Sequence, residues 1–146
     1  MSEPRFDVAI VGYGPTGATL ANLLGLQGLR VAVIERERDL LQLPRAVHFD
    51  GEVMRVFETA RLAGRVQHGV RPSSGMRYVN AAGQILLERA PADGPGPHGW
   101  PNNLLFHQPD LEHALRAGAE SHPNVTVLSF HEVTDVGQHT DRAVLD

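Results

Sequence analysis

With 146 residues, the chain is expected to form one compact domain or part of a larger one, and a multidomain assembly is excluded. Apolar residues at 42% and charged residues at 21% belong to a globular chain with a core, not to a disordered or fibrous one. The net charge of -4 gives no footprint for nucleic acid, and the absence of cysteine excludes disulfides, thiolate metal sites and a cysteine nucleophile.

The first residues carry Glu3 and Asp7 and lack the basic-then-apolar layout of a signal peptide, and no apolar run is long enough for a membrane span. A soluble, cytoplasmic protein with no membrane partner is therefore expected. Residues 6–11, Phe-Asp-Val-Ala-Ile-Val, read as a buried parallel strand ending at Gly12. Residues 18–26 read as a helix, with Gly25 and Gly28 near its end, and residues 30–34 as a second apolar strand. Together residues 6–35 form a βαβ unit of about 30 residues, the length that holds a dinucleotide.

Asp50 is placed to cap a helix over about 52–60, with Val53, Val56 and Phe57 on one face, and a further helix is expected near 61–67. Residues 76–89, with Asn80-Ala81-Ala82-Gly83 at their middle, read as a β-hairpin. The stretch 91–101 is too rich in Pro and Gly for regular structure and reads as a surface loop. Residues 104–106 read as a short strand, and Pro109 opens a helix running to about 121 with Leu111 and Leu115 on one face. A strand over 125–130 follows the break at Pro123-Asn124, and 131–136 and 142–145 read as the first strands of a meander. The fold class is α/β, a Rossmann-like unit with an inserted hairpin.

Gly12-Tyr13-Gly14-Pro15-Thr16-Gly17 fits G-x-G-x-x-G between a strand and a helix, the context that gives the pattern its meaning. Gly12 permits the tight turn, Gly14 lets backbone approach a pyrophosphate, and Gly17 allows close helix–strand packing, while the helix N-terminus offers free N–H groups to phosphate. Glu35 closes the second strand, about 20 residues on, where an acid accepts hydrogen bonds from ribose hydroxyls and disfavours a ribose 2′-phosphate. The motif alone does not separate FAD from NAD. The eight histidines include no H-x-x-x-H pair on an expected helix, so no metal is expected, and no Ser-His-Asp or paired-carboxylate arrangement assigns a catalytic residue.

Two further segments decide between cofactors: Pro44-Arg45-Ala46-Val47-His48-Phe49-Asp50, and Gly99-Trp100-Pro101 followed by Phe106-His107-Gln108-Pro109. With the glycine motif they make the chain resemble the FAD-dependent aromatic hydroxylases typified by para-hydroxybenzoate hydroxylase, and within them the 3-(3-hydroxyphenyl)propionate hydroxylases. The resemblance runs over nearly the whole chain. It implies that Gly12, Gly14, Pro15, Thr16 and Gly17 hold the FAD pyrophosphate, that Glu35 with Arg36 serves the adenosine ribose, that Arg45 lies near the phosphates, and that Gln108 reaches the flavin side. It further implies that His48 and Asp50 lie near the flavin ring or substrate, and that residues 71–105 begin a substrate-side sheet in the N-terminal part of a FAD-binding domain spanning 1–146.

The resemblance implies an oxidoreductase that reduces FAD with NADH or NADPH and uses O2 to hydroxylate a phenolic ring. Another flavoprotein oxidoreductase of this fold, such as a polyketide hydroxylase, and a non-catalytic dinucleotide-binding or interaction module are the alternatives. The family's Asp-Gly segment after the meander and its later Gly-Asp segment are not among these residues. The isolated chain is accordingly expected to be inactive, and its first strand, lacking that neighbour, to expose an apolar edge that promotes self-association.

Overall fold

The computed structural model describes residues 5–40, 42–90 and 94–146. In chain order the elements are β1 (Val8–Val11), α1 (Pro15–Leu26), β2 (Val31–Glu35), β3 (His48–Phe49), α2 (Gly51–Thr59), α3 (Ala63–Val66), β4 (Val70–Pro72), β5 (Met76–Val79), β6 (Ile85–Arg89), β7 (Leu104–Phe106), α4 (Gln108–Ala119), β8 (Val125–Ser129), β9 (Val136–Gln138) and β10 (Ala143–Leu145). The chain divides into two compact units, residues 1–42 with 112–146, and residues 43–111.

In the first unit β1, β2 and β8 form a parallel sheet with β2 in the centre. Val31 to Ile34 are buried, as a strand covered on both faces requires. The register sets Val11 opposite Ile34 and Glu35 opposite Ser129, so Glu35 stands at the carboxyl end of the sheet. Helix α1 buries Ala18, Ala21, Asn22 and Gly25, small residues that permit close approach. Asn124 Nδ2 donates to the carbonyls of Gly25 (3.0 Å) and Leu29 (2.6 Å), satisfying acceptors at and just beyond the helix end.

In the second unit β3, β7 and β4 form an antiparallel sheet with β7 central. Phe49 meets Phe57 edge-on at 5.7 Å and Phe106 at 5.0 Å, tying the sheet to α2 beside buried Met54. Strands β5 and β6 pair as the expected hairpin, closed by Asn80 Oδ1, which accepts from the amides of Ala82 and Gln84.

The parallel βαβ core, the hairpin and the short strand at 104–106 match the sequence reading. The first helix starts at Pro15 rather than residue 18, because proline at its first position and a glycine cap need no apolar residue to begin a helix. Residues 131–135 are not a strand; β9 starts only at Val136, after Phe130 has turned the chain through a left-handed backbone, φ 60°. Strands β3 and β4 were not anticipated, being held by pairing to the distant β7. Within the expected loop, 94–101 carry no helix or strand, and 91–93 lie outside the described residues.

Candidate functional site

The glycine turn and Glu35 come together in the first unit. Gly12 sits at φ 101°, a conformation that favours glycine, and its N–H donates to the Ile34 carbonyl at 2.7 Å. Gly17 is a packing glycine: a Cβ there would lie 2.1 Å from the Gly12 carbonyl oxygen. Gly14 differs, because a Cβ there meets no protein atom within 4 Å; space is left on the side where a ligand would approach. Helix α1 starts with Gly14 as cap and Pro15 at its first position, with no side-chain cap and no acid in the first turn. Its N-terminal donors and the positive end of its dipole are therefore available to an anion.

Glu35 is fixed by backbone. The Tyr13 amide donates to its Oε2 at 2.7 Å and the Glu37 amide to its Oε1 at 2.9 Å. Partial burial by itself raises the carboxyl pKa, but those amides, with Arg116 and Arg36 nearby, outweigh it and hold the group below its ordinary value. Glu35 is thus an ionised acceptor of fixed orientation at neutral pH, the state that receives ribose hydroxyls.

Tyr13 anchors the turn from beneath. Its ring is buried, its hydroxyl donates to the Arg116 carbonyl at 3.2 Å, and the Arg116 guanidinium lies 4.6 Å over the ring while pairing with Glu112 at 3.7 Å. Burial, reinforced by the Glu120 carboxylate and opposed by Arg116, pushes the Tyr13 pKa upward, so it stays a neutral donor. Sequence reading passed over both residues: Tyr13 occupies a variable position of the motif, and Arg116 lies far along the chain. Arg36 is exposed, beside Glu37, in a recess it shares with Phe130 and Glu132. Thr16 is exposed on the first turn of α1.

The second unit brings Arg45 and Gln108 together. Gln108 is 6% exposed, and its Oε1 accepts from the amides of Arg45 and Ala46, each at 2.8 Å. Asp50 Oδ1 accepts from the amides of Glu52 and Val53 at 3.1 Å, the N-cap expected of it. The exposed His48 places Nε2 3.0 Å from Asn103 Oδ1. Among the described residues there is no cluster of three metal-ligating side chains, and no helix is long and apolar enough to cross a membrane.

A parallel βαβ unit with a bare helix N-terminus and a backbone-held acid defines a dinucleotide-binding protein. The comparisons narrow the class: the FAD binding domain family matches residues 5–145, and the chain belongs to that family, whose cofactor is FAD. A probable NADH-specific resorcinol 4-hydroxylase of Rhodococcus jostii is 42% identical over 139 residues, covering 95% of this chain and 26% of that protein. A 3-(3-hydroxy-phenyl)propionate/3-hydroxycinnamic acid hydroxylase of Mycolicibacterium gilvum is 39% identical over 140 residues, covering 96% of this chain and 24% of that one. The chain thus spans about a quarter of the length of these relatives. The p-nitrophenol 4-monooxygenase PnpA of Pseudomonas putida shares the fold, with a TM-score of 0.81 at 24% identity over 94% of this chain and 35% of that one.

Proposed function

We propose that this chain is the N-terminal, FAD-holding part of a flavoprotein monooxygenase that hydroxylates a small phenolic ring, with NADH or NADPH as transient reductant and O2 as oxidant, in the cytoplasm. The observation that carries the reading is the pairing of the Tyr13 amide with Glu35, which sets an ionised acceptor beside a helix N-terminus that has no side-chain cap and no acid in its first turn. Gly12, Gly14, Pro15, Thr16 and Gly17 hold the pyrophosphate through backbone donors; Glu35 and Arg36 serve the adenosine ribose; Arg45, its backbone held by Gln108 on the flavin side, serves the phosphates; His48 and Asp50 lie toward the flavin ring or substrate. The likeness to hydroxylases of resorcinol and of hydroxyphenylpropionate supports a phenolic substrate. FAD, when bound, supplies the electron transfer and oxygen activation; the residues of this chain bind and orient it.

Residues 71–105 are proposed as the start of a substrate-side sheet, supported by a hairpin that exposes Met76, Tyr78, Ile85 and Leu87. Among the described residues strand β1 pairs only with β2, and Val11 is 61% exposed, which supports self-association along that edge. Light scattering of the purified chain tests it, a monomer at high concentration counting against the edge as an interface.

Titration with FAD and with FMN, followed by flavin fluorescence, tests the cofactor reading. FAD is expected to bind at least about tenfold more tightly, because Glu35 and the glycine turn hold the adenosine and its phosphate, the adenosine monophosphate moiety that FMN lacks. Equal affinity, or none, refutes it. Incubation with FAD, NADH, O2 and resorcinol or 3-(3-hydroxyphenyl)propionate, with mass spectrometry of the product, tests the chemistry. The 146 residues alone are expected to give no oxygenated product, and turnover by them would overturn the placing of the remaining site elsewhere.

A further inference from the structure

We infer that Gln108 is a positioning residue that presets the backbone carrying Arg45, rather than a group that acts on the cofactor itself; the inference rests on the FAD reading above. Residues 42–48 are exposed throughout, yet the amides of Arg45 and Ala46 converge on one oxygen, Gln108 Oε1, at 2.8 Å each. Two consecutive N–H groups reach one acceptor only when the backbone dihedrals between them are restricted, and here no left-handed residue is needed to do it. The acceptor is a buried neutral amide.

The demand on the side chain is specific. Two N–H donors require an acceptor, so the oxygen and not the nitrogen of the Gln108 amide must face them. Pro44 immediately before Arg45 has a fixed φ and no N–H of its own, which limits the segment further. The tie also continues a longer pairing: Phe106 N donates to the Val47 carbonyl at 2.9 Å, and His48 and Phe49 pair with Leu105 and Leu104. The chain from 45 to 49 is thereby registered against 104–108, with Gln108 holding the end that no strand pairing reaches.

Among the described residues the Arg45 guanidinium has no hydrogen bond or ion pair. A cation without a partner, on backbone ordered in advance, binds a phosphate without the entropy cost of ordering the segment at that moment. Gln108 therefore acts through Arg45.

The test uses the purified protein and Q108L, Q108E, R45A and the double variant R45A/Q108L. Amide hydrogen exchange by NMR is read at Arg45 and Ala46, and FAD affinity by flavin fluorescence. Both amides are expected to be protected in the wild type and in Q108E, whose carboxylate still accepts, and to exchange freely in Q108L. FAD affinity is expected to fall about tenfold in Q108L and to be largely kept in Q108E. The double variant is expected to bind FAD no more weakly than R45A, as for residues acting in series. The inference is overturned if the two amides exchange alike in wild type and Q108L, or if Q108E loses as much affinity as Q108L and the Q108L loss adds fully to that of R45A. A wild type that protects both amides but takes up no FAD sinks the cofactor reading, and with it the role of Arg45, while the backbone tie stands.

Discussion

The amide of Tyr13 and the carboxylate of Glu35, 2.7 Å apart, make the middle of the glycine turn and the end of β2 a single hydrogen-bonded unit. The acid therefore fixes the turn as well as carrying the oxygens proposed above to meet a ribose. A ligand that meets Glu35 meets a backbone already in its binding conformation.

The pH dependence of that unit follows from its direction of shift. Glu35 titrates below its ordinary value in the folded chain, so its contribution is complete above the unfolded carboxylate pKa of about 4.3 and is lost as pH falls through the lower folded value. Affinity for FAD, whose pyrophosphate diester keeps its charge over this range, is expected to be level between about pH 7 and 5 and to decline only below about pH 4. E35A is expected to weaken FAD binding at least about tenfold at neutral pH. Calorimetric titration across that range checks both, and a decline already at pH 6 would assign the control to a histidine instead.

The two glycines of the turn separate structure from ligand contact. G17A forces a Cβ to within 2.1 Å of a backbone oxygen, which cannot swing away, and is expected to destabilise by at least about 2 kcal/mol in urea unfolding. G14A finds no protein atom within 4 Å at an ordinary φ of -74°, so its stability is expected to stay within about 0.5–1 kcal/mol of wild type while FAD affinity falls. Equal effects of the two on stability would refute the distinction.

The βαβ unit is legible in the sequence because each of its signals is local: branched apolar residues for β1 and β2, glycines where the chain turns, and an acid at the end of β2. The same holds for the hairpin, whose Asn80 to Gly83 turn encodes its own closure. What escaped is non-local. Strands β3 and β4 have two and three residues and exist through pairing with β7. The packing of Tyr13 against Arg116 joins residues 103 positions apart, and no spacing rule points from one to the other. Arg45 and Gln108 were both singled out, yet the hydrogen bonds joining them are visible only in the fold.

Phe130 holds a left-handed backbone, φ 60°, with its ring exposed and Arg38 4.8 Å over it. A bulky L-residue in this region costs about 1–2 kcal/mol, against about 0.5–1 kcal/mol for an exposed cation–π contact. F130G is expected to unfold at an equal or slightly higher temperature than wild type, and F130A at a lower one, since alanine keeps the strain and loses the contact. Calorimetric melting decides, and F130G melting well below F130A would refute the balance.

Asn22 is fully buried on α1, where Nδ2 donates to the carbonyls of Ala18 and Leu115, each at 2.8 Å, while Oδ1 has no partner among the described residues. N22A removes a donor from two buried acceptors and is expected to cost about 1–3 kcal/mol. N22D is expected to be worse at neutral pH, because an ionised carboxylate would face two carbonyl oxygens where a donor stood. Burial would raise the pKa of the introduced acid in the folded chain, so its penalty grows as pH rises above about 4 and shrinks as the acid is protonated and can donate again. Urea unfolding of both variants at pH 7 and pH 4.5 tests this: the gap between N22D and N22A is expected to narrow at the lower pH. A gap that is constant with pH would mean that water reaches position 22, contrary to its burial.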